Sequence, residues 1–216
     1  KSINNLIEIK KEINLKNPQL TNKVNIIAVS KTFNVEKILP LIEYGHLDFG
    51  ENKVQEAVDK WTELKKNRNN LNLHMIGKLQ TNKVKQAVKL FDYIHSLDSI
   101  KLAKKISVEQ NKINKDIRIF IQINIANEEQ KSGIKIENLS NFYQVCTKEF
   151  KLNIIGLMCL PPINRDPSEY FGLMKNLTKD LTLSNLSMGM SSDYLEAIKH
   201  EATFIRIGSS IFGQRS

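Results

Sequence analysis

Residues 47–78, LDFGENKVQEAVDKWTELKKNRNNLNLHMIGK, decide the fold. The stretch opens with a short β-rich run, Leu47–Asn52, that ends in small and polar residues. Val54, Ala57, Val58, Trp61 and Leu64 then recur at helical spacing and give one apolar stripe. A second β-rich run, Leu73–Lys78, closes the unit. Strand, amphipathic helix, strand is the signature of a parallel sheet with helical crossovers.

The same alternation extends in both directions. Asn25–Lys31 (NIIAVSK) precedes the stretch; Tyr93–Leu97, Arg118–Ile125, Ile154–Leu160, Asn185–Met190 and Phe204–Ser209 follow it. Most of these runs are continuously apolar, as expected of parallel strands covered on both faces. Helical spacing returns in Ile38, Leu39, Leu41 and Ile42, and in Ile100, Leu102, Ala103 and Ile106. Asp98 and Ser191 stand at cap positions ahead of helical patterns. Ile3, Leu6, Ile7, Ile9 and Ile13 predict one more helix before the first strand. Eight strand–helix units in 216 residues predict a single α/β domain over residues 1–216, a (β/α)8 TIM-type barrel with an extra N-terminal helix. A doubly wound open sheet is the alternative, although no G-x-G-x-x-G or G-x-x-x-x-G-K follows any strand.

Composition narrows the function. Hydrophobic residues at 41% and charged residues at 25% exclude a disordered chain. No apolar run approaches the ~18 residues of a membrane span. Lys1–Asn5 lacks the apolar core of a signal peptide, and two cysteines without a C-x-x-C exclude a disulfide framework or zinc site. A cytoplasmic protein with no membrane partner and no metal is expected. The net charge of +9 raises nucleic acid as a partner, since backbone binding rests on clustered Lys and Arg. Only five of the 32 basic residues are Arg, and the lysines are scattered, so no nucleic-acid partner is expected. Mild basicity still favours a small anionic ligand.

In a parallel barrel the active face lies at the C-terminal strand ends. Those positions carry Lys31, Asn52, Lys78, Ser96, Asn124, Met158, Ser191, Gly208 and Ser209. Lys31 would be partly desolvated at the barrel mouth, which frees its amine for attack on a carbonyl, unless it is an ordinary solvated strand-end lysine. Gly208, Ser209 and Ser210, with Ser187–Ser191 opposite, suit a phosphate held at the last two strands. Arg206, between Ile205 and Ile207, would point inward and need an acceptor, either a carboxylate or a ligand atom. Glu51 would cap or pair with the following helix. The four histidines share no metal spacing, and both cysteines read as core residues.

Several of these segments carry a family pattern. Ala28–Thr32 (AVSKT), Phe49–Glu56 (FGENKVQE), His74–Lys83 (HMIGKLQTNK), Gly156–Met158, Leu186–Ser191 (LSMGMS) and Arg206–Gly213 (RIGSSIFG) resemble the pyridoxal-phosphate homeostasis protein family, in its order. Lys78 departs from it, standing where many members have His or another residue.

The resemblance implies a barrel similar to the N-terminal domain of bacterial alanine racemase that binds pyridoxal 5′-phosphate (PLP) as a covalent aldimine. By motif, Lys31 would be the Schiff-base lysine, and Ser191, Gly208 and Ser209 would hold the phosphate. Arg206 would face the cofactor at its pyridine nitrogen, with Asn52 approaching the ring; no catalytic residue is implied. The implied role is PLP and amino-acid homeostasis without established catalysis, with apo PLP-dependent enzymes as candidate acceptors. A cation at the pyridine nitrogen weakens the electron sink, and racemisation needs a second acid/base that alanine racemase takes from another domain of a partner subunit. The alternative is a PLP-dependent racemase or lyase using the same lysine. With no second domain in the sequence, a monomer is expected.

Overall fold

The structure, a computed structural model, describes residues 1–20 and 23–214. The strands are β1 Asn25–Val29, β2 Asp48–Glu51, β3 Asn72–Met75, β4 Tyr93–Leu97, β5 Arg118–Ile123, β6 Asn153–Cys159, β7 Asn185–Met190 and β8 Phe204–Ile207. All run parallel, in sequence order, and close into a barrel. Closure is direct: β1 pairs with β8, Asn25 opposite Phe204 and Ala28 opposite Ile207, which excludes the open-sheet alternative.

Around the barrel lie α1 Ser2–Lys16, α2 Val35–Glu43, α3 Val54–Lys66, α4 Val84–Leu90, α5 Ile100–Lys112, α6 Leu139–Gln144, α7 Pro167–Asp180, α8 Tyr194–Lys199 and α9 Ser209–Phe212. The predicted extra helix is α1, which buries Leu6, Ile9 and Ile13 and packs beside α8 and α9. Asp166 and Pro167 start α7 in the usual way: the Asp166 carboxylate accepts from Ser168 N, and proline takes the first turn, where an N–H is dispensable. Among the described residues, no helix is long and apolar enough to cross a membrane.

Two apolar layers hold the fold. The outer one, between strands and helices, includes the fully buried Phe49, Trp61, Phe91 and Phe171. Each large apolar side chain so buried contributes about 1.5–3 kcal/mol. The inner one is small: Ile27, Tyr93, Phe120, Met158 and Phe204. His74 stacks on Tyr93 and His95 on Phe120, with centroids 4.2 Å and 4.3 Å apart.

Three sequence expectations change. The cap of α5 is Ser99, not Asp98; the Ser99 hydroxyl accepts from Leu102 N, one residue nearer the helix. Ser191 does not cap α8, which starts after Asp193. Met158 is not at the mouth but fully buried in the inner layer.

Candidate functional site

A cavity of about 600 Å³ opens at the C-terminal end of the barrel. Its lining includes Lys31 from the β1–α2 turn, Asn52 just after β2, Ser191 just after β7, Arg206 in β8, and Gly208 and Ser209 at the start of α9. The six residues singled out from the sequence therefore meet in one space. Two cationic side chains and no carboxylate line it among the described residues, so it favours an anion. Volume and lining suit a small cofactor.

The turn carrying Lys31 is anchored from outside the barrel. Glu51, fully buried at the end of β2, accepts at Oε1 from Ser30 Oγ (2.7 Å), Lys60 Nζ (2.9 Å) and Trp61 Nε1 (2.9 Å). Lys60 also donates to Ser30 O (2.8 Å) and to Glu56 Oε1 (3.1 Å). Thr32 stands in the left-handed region at φ 69°, costly for a β-branched residue, and its N–H donates to Glu56. Burial pushes the Glu56 carboxyl up, but the Thr32 N–H and the Lys60 ammonium outweigh it and hold the group below its ordinary value. Residues 30 and 32 are thus pinned on either side of Lys31. As expected from sequence, Glu51 pairs with the following helix.

Arg206 is 4% exposed at the cavity floor, and burial lowers its pKa. Its acceptors are Ser187 Oγ (2.6 Å) and Cys159 O (2.9 Å), not the carboxylate the sequence reading offered. The Ser191 hydroxyl accepts from Gly208 N and Ser210 N, each at 3.3 Å, and so ties the end of β7 to the start of α9. It reaches that place through an irregularity in the β7–β8 pairing between Ser187 and Met190, where Gly189 adopts φ 95°. A Cβ on Gly189 would also lie 2.7 Å from Ala197 Cβ. Asn52 is set by close approach: a Cβ on Gly77 would lie 2.3 Å from Asn52 O.

A second cavity of about 370 Å³ adjoins the first and shares Asn52, Ile76 and Leu160 with it. Lys78 and Asn124 line this second space, where Asn124 bonds to the backbone of Glu128 on the loop after β5. Ser96 lies in neither cavity and is buried without a protein partner for its hydroxyl. Burial pushes the thiols of Cys146 and Cys159 up to about 12, so neither is a nucleophile at neutral pH. No group of three metal-ligating side chains occurs among the described residues.

The sequence reading missed a buried polar row. His74 and His95, both fully buried, bond to each other (Nδ1 to Nε2, 3.0 Å), to Asp48 (3.0 Å) and to Ser187 (2.7 Å). Burial, the dominant influence, lowers the pKa of His74, and that of His95 well below the usual imidazole value. Alternation along Tyr93–His95 was the available signal, since strand positions two apart share a face.

The family described as alanine racemase, N-terminal domain, matches residues 5–216. The pyridoxal phosphate homeostasis protein of Synechocystis sp. is 38% identical over 205 residues, covering 91% of this chain and 94% of that one. PipY of Synechococcus elongatus PCC7942, solved without PLP, superposes with a TM-score of 0.85 at 32% identity, covering 95% of this chain and all of that one. Its structure with PLP bound gives a TM-score of 0.84 at 31% identity, with the same coverage.

Proposed function

The chain belongs to the pyridoxal phosphate homeostasis protein family, of the alanine racemase N-terminal domain class, and from that premise we propose that it binds PLP at the barrel mouth through Lys31 and serves cytoplasmic PLP and amino-acid homeostasis. The observation that carries this reading is the meeting of Lys31, Asn52, Ser191, Arg206, Gly208 and Ser209 around one cationic cavity. When bound, PLP supplies an aldehyde that condenses with an amine as a Schiff base, with loss of one water. Lys31 contributes that amine. Ser191, Gly208 and Ser209 bind the phosphate, and Arg206 orients the ring with Asn52.

Gly208 supports this fit. A Cβ there would meet Val29 at 3.6 Å, an ordinary contact, so protein packing does not demand glycine at the position. That leaves the position open to a ligand approaching its backbone.

The role is holding and exchange rather than turnover. Lys31 and Arg206 are the only titratable side chains among the described residues lining the first cavity, and neither is the second acid/base that racemisation needs. The adjoining cavity leaves room for an incoming amine that would replace Lys31 on the PLP aldehyde carbon, freeing the Lys31 amine and carrying PLP away bound to itself, with apo PLP-dependent enzymes as acceptors. Visible absorption of the protein loaded with PLP, then borohydride reduction and peptide mapping, tests the reading. A pyridoxyl group fixed on Lys31 and absent from Lys31→Ala is expected. A parent protein that stays colourless and unlabelled overturns it. Turnover of an amino acid, lost in Lys31→Ala, would instead establish the racemase or lyase.

A further inference from the structure

Arg206 is a buried cation whose two acceptors are neutral. One of them, Ser187 Oγ, is the first member of a chain of hydrogen bonds that crosses the barrel. Ser187 Oγ meets His95 Nδ1 at 2.7 Å, His95 Nε2 meets His74 Nδ1 at 3.0 Å, and His74 Nε2 meets Asp48 Oδ1 at 3.0 Å. Asp48 begins β2 at the opposite, N-terminal end of the barrel, where it also accepts from Asn72 Nδ2 and borders an open cavity with Lys10 and His46.

The direction of the chain follows from chemistry. An ionised carboxylate only accepts and a guanidinium only donates. With Asp48 accepting, His74 donates from Nε2 and its Nδ1 is the acceptor in a neutral ring. His95 must then donate from Nε2 and accept at Nδ1, which leaves the Ser187 hydroxyl to donate to His95 while its oxygen accepts from Arg206. Every bond points the same way, from the cation to the anion. With Asp48 ionised, reversing the His74–His95 or the His95–Ser187 bond requires an imidazolium in a fully buried ring. Aligned bonds polarise one another, so the Asp48 charge makes Ser187 Oγ a better acceptor for Arg206.

We propose that Asp48, His74, His95 and Ser187 are a one-way hydrogen-bond relay that positions Arg206, making Asp48 a positioning residue for a ligand bound at the far end of the barrel. The inference rests on the PLP reading for the identity of that ligand, but the relay itself belongs to the protein without PLP. Its parts are residues of β2, β3, β4, β7 and β8, strands that share no local sequence.

Two measurements test it separately. Nitrogen-15 NMR of the ligand-free protein should show both imidazoles neutral with the proton on Nε2 from about pH 5 to pH 8. A proton on Nδ1 of either ring, or a second proton gained in that range, overturns the relay whether or not PLP binds. PLP titration, followed by visible absorption, then compares Ser187→Ala, Ser187→Thr and Asp48→Asn with the parent. Loss of a hydrogen bond to a charged group predicts a PLP dissociation constant raised about tenfold in Ser187→Ala. Ser187→Thr, which keeps the hydroxyl, should stay within about twofold of the parent, and Asp48→Asn should raise the constant about threefold. Asp48→Asn loses the charge but keeps an acceptor of the same shape at a side chain that is 18% exposed, and it carries the test if Ser187→Ala fails to fold. Parent-like PLP binding by Asp48→Asn overturns the positioning role. A parent that does not bind PLP refutes the cofactor reading instead, and the NMR experiment still decides the relay.

Discussion

Replacing Glu51 by alanine is the sharpest perturbation of the support behind Lys31. The carboxylate is fully buried, and its Oε1 takes three donors at 2.7–2.9 Å. Trp61 is 0% exposed, so its indole N–H loses its acceptor outright, at about 1–3 kcal/mol. Ser30 Oγ falls back on the Gly50 carbonyl at 3.4 Å, a long bond that recovers only part of the loss. Lys60 keeps Ser30 O and the Glu56 carboxylate, so its charge is not left alone. Breaking a buried ion pair by removing one partner costs about 3–5 kcal/mol, and the retained Glu56 contact places Glu51→Ala near the lower end, about 3 kcal/mol. Urea unfolding of parent and variant measures the difference at constant m-value. Glu56→Ala is the control: its carboxylate is 27% exposed, and the change should cost about 1 kcal/mol or less. A Glu51→Ala loss below about 1 kcal/mol would refute the reasoning, because the three donors would then have other acceptors.

Acid should destabilise the protein early. The folded pKa values of His74 and His95 are depressed, so below the unfolded value of about 6.5 only the unfolded chain takes up their protons. Stability is fully present above that value and falls by up to about 2.7 kcal/mol per pH unit below it. A urea midpoint unchanged between pH 7.5 and about pH 5 would contradict this. Gly77→Ala places a Cβ 2.3 Å from the Asn52 carbonyl and should cost more than about 2 kcal/mol in thermal or urea unfolding. Gly208→Ala, with its nearest contact at 3.6 Å, should fold within about 1 kcal/mol of the parent yet bind PLP at least about tenfold more weakly. Both cysteines, held near 12, should resist a thiol reagent at neutral pH until the protein is unfolded.

The two cations of the cavity are supported by different parts of the molecule. The turn beside Lys31 is held by Glu51, Glu56 and Lys60, with Trp61 donating to Glu51, all from the end of β2 and from α3, outside the barrel. Arg206 is held from inside, by Ser187 and the Cys159 carbonyl. No residue is common to both sets. Independent supports let either charge keep its place when the surroundings of the other change.

How far the sequence was legible follows from what each signal measures. β4 and β7 match their apolar runs residue for residue. The run Asn25–Lys31 overshoots β1 by two residues, because Ser30, still buried and donating its N–H to Gly50 O, and Lys31 already belong to the anchored turn. Ser191 looked like a local cap because sequence shows only near neighbours, whereas its hydroxyl serves backbone 17 and 19 residues away. His95 and Ser187 lie 92 residues apart, and no spacing rule reaches that distance. Yet the inner rows were partly readable. Leu186 and Met188 belong to the outer layer, which leaves Ser187 facing inward. Tyr93 and His95 alternate with Ile94, and Phe204 and Arg206 with Ile205. Helices take the apolar side of each strand, so a barrel this small can fill its centre with Ser, His and Arg only if they bond to one another. The relay is what that requirement produces.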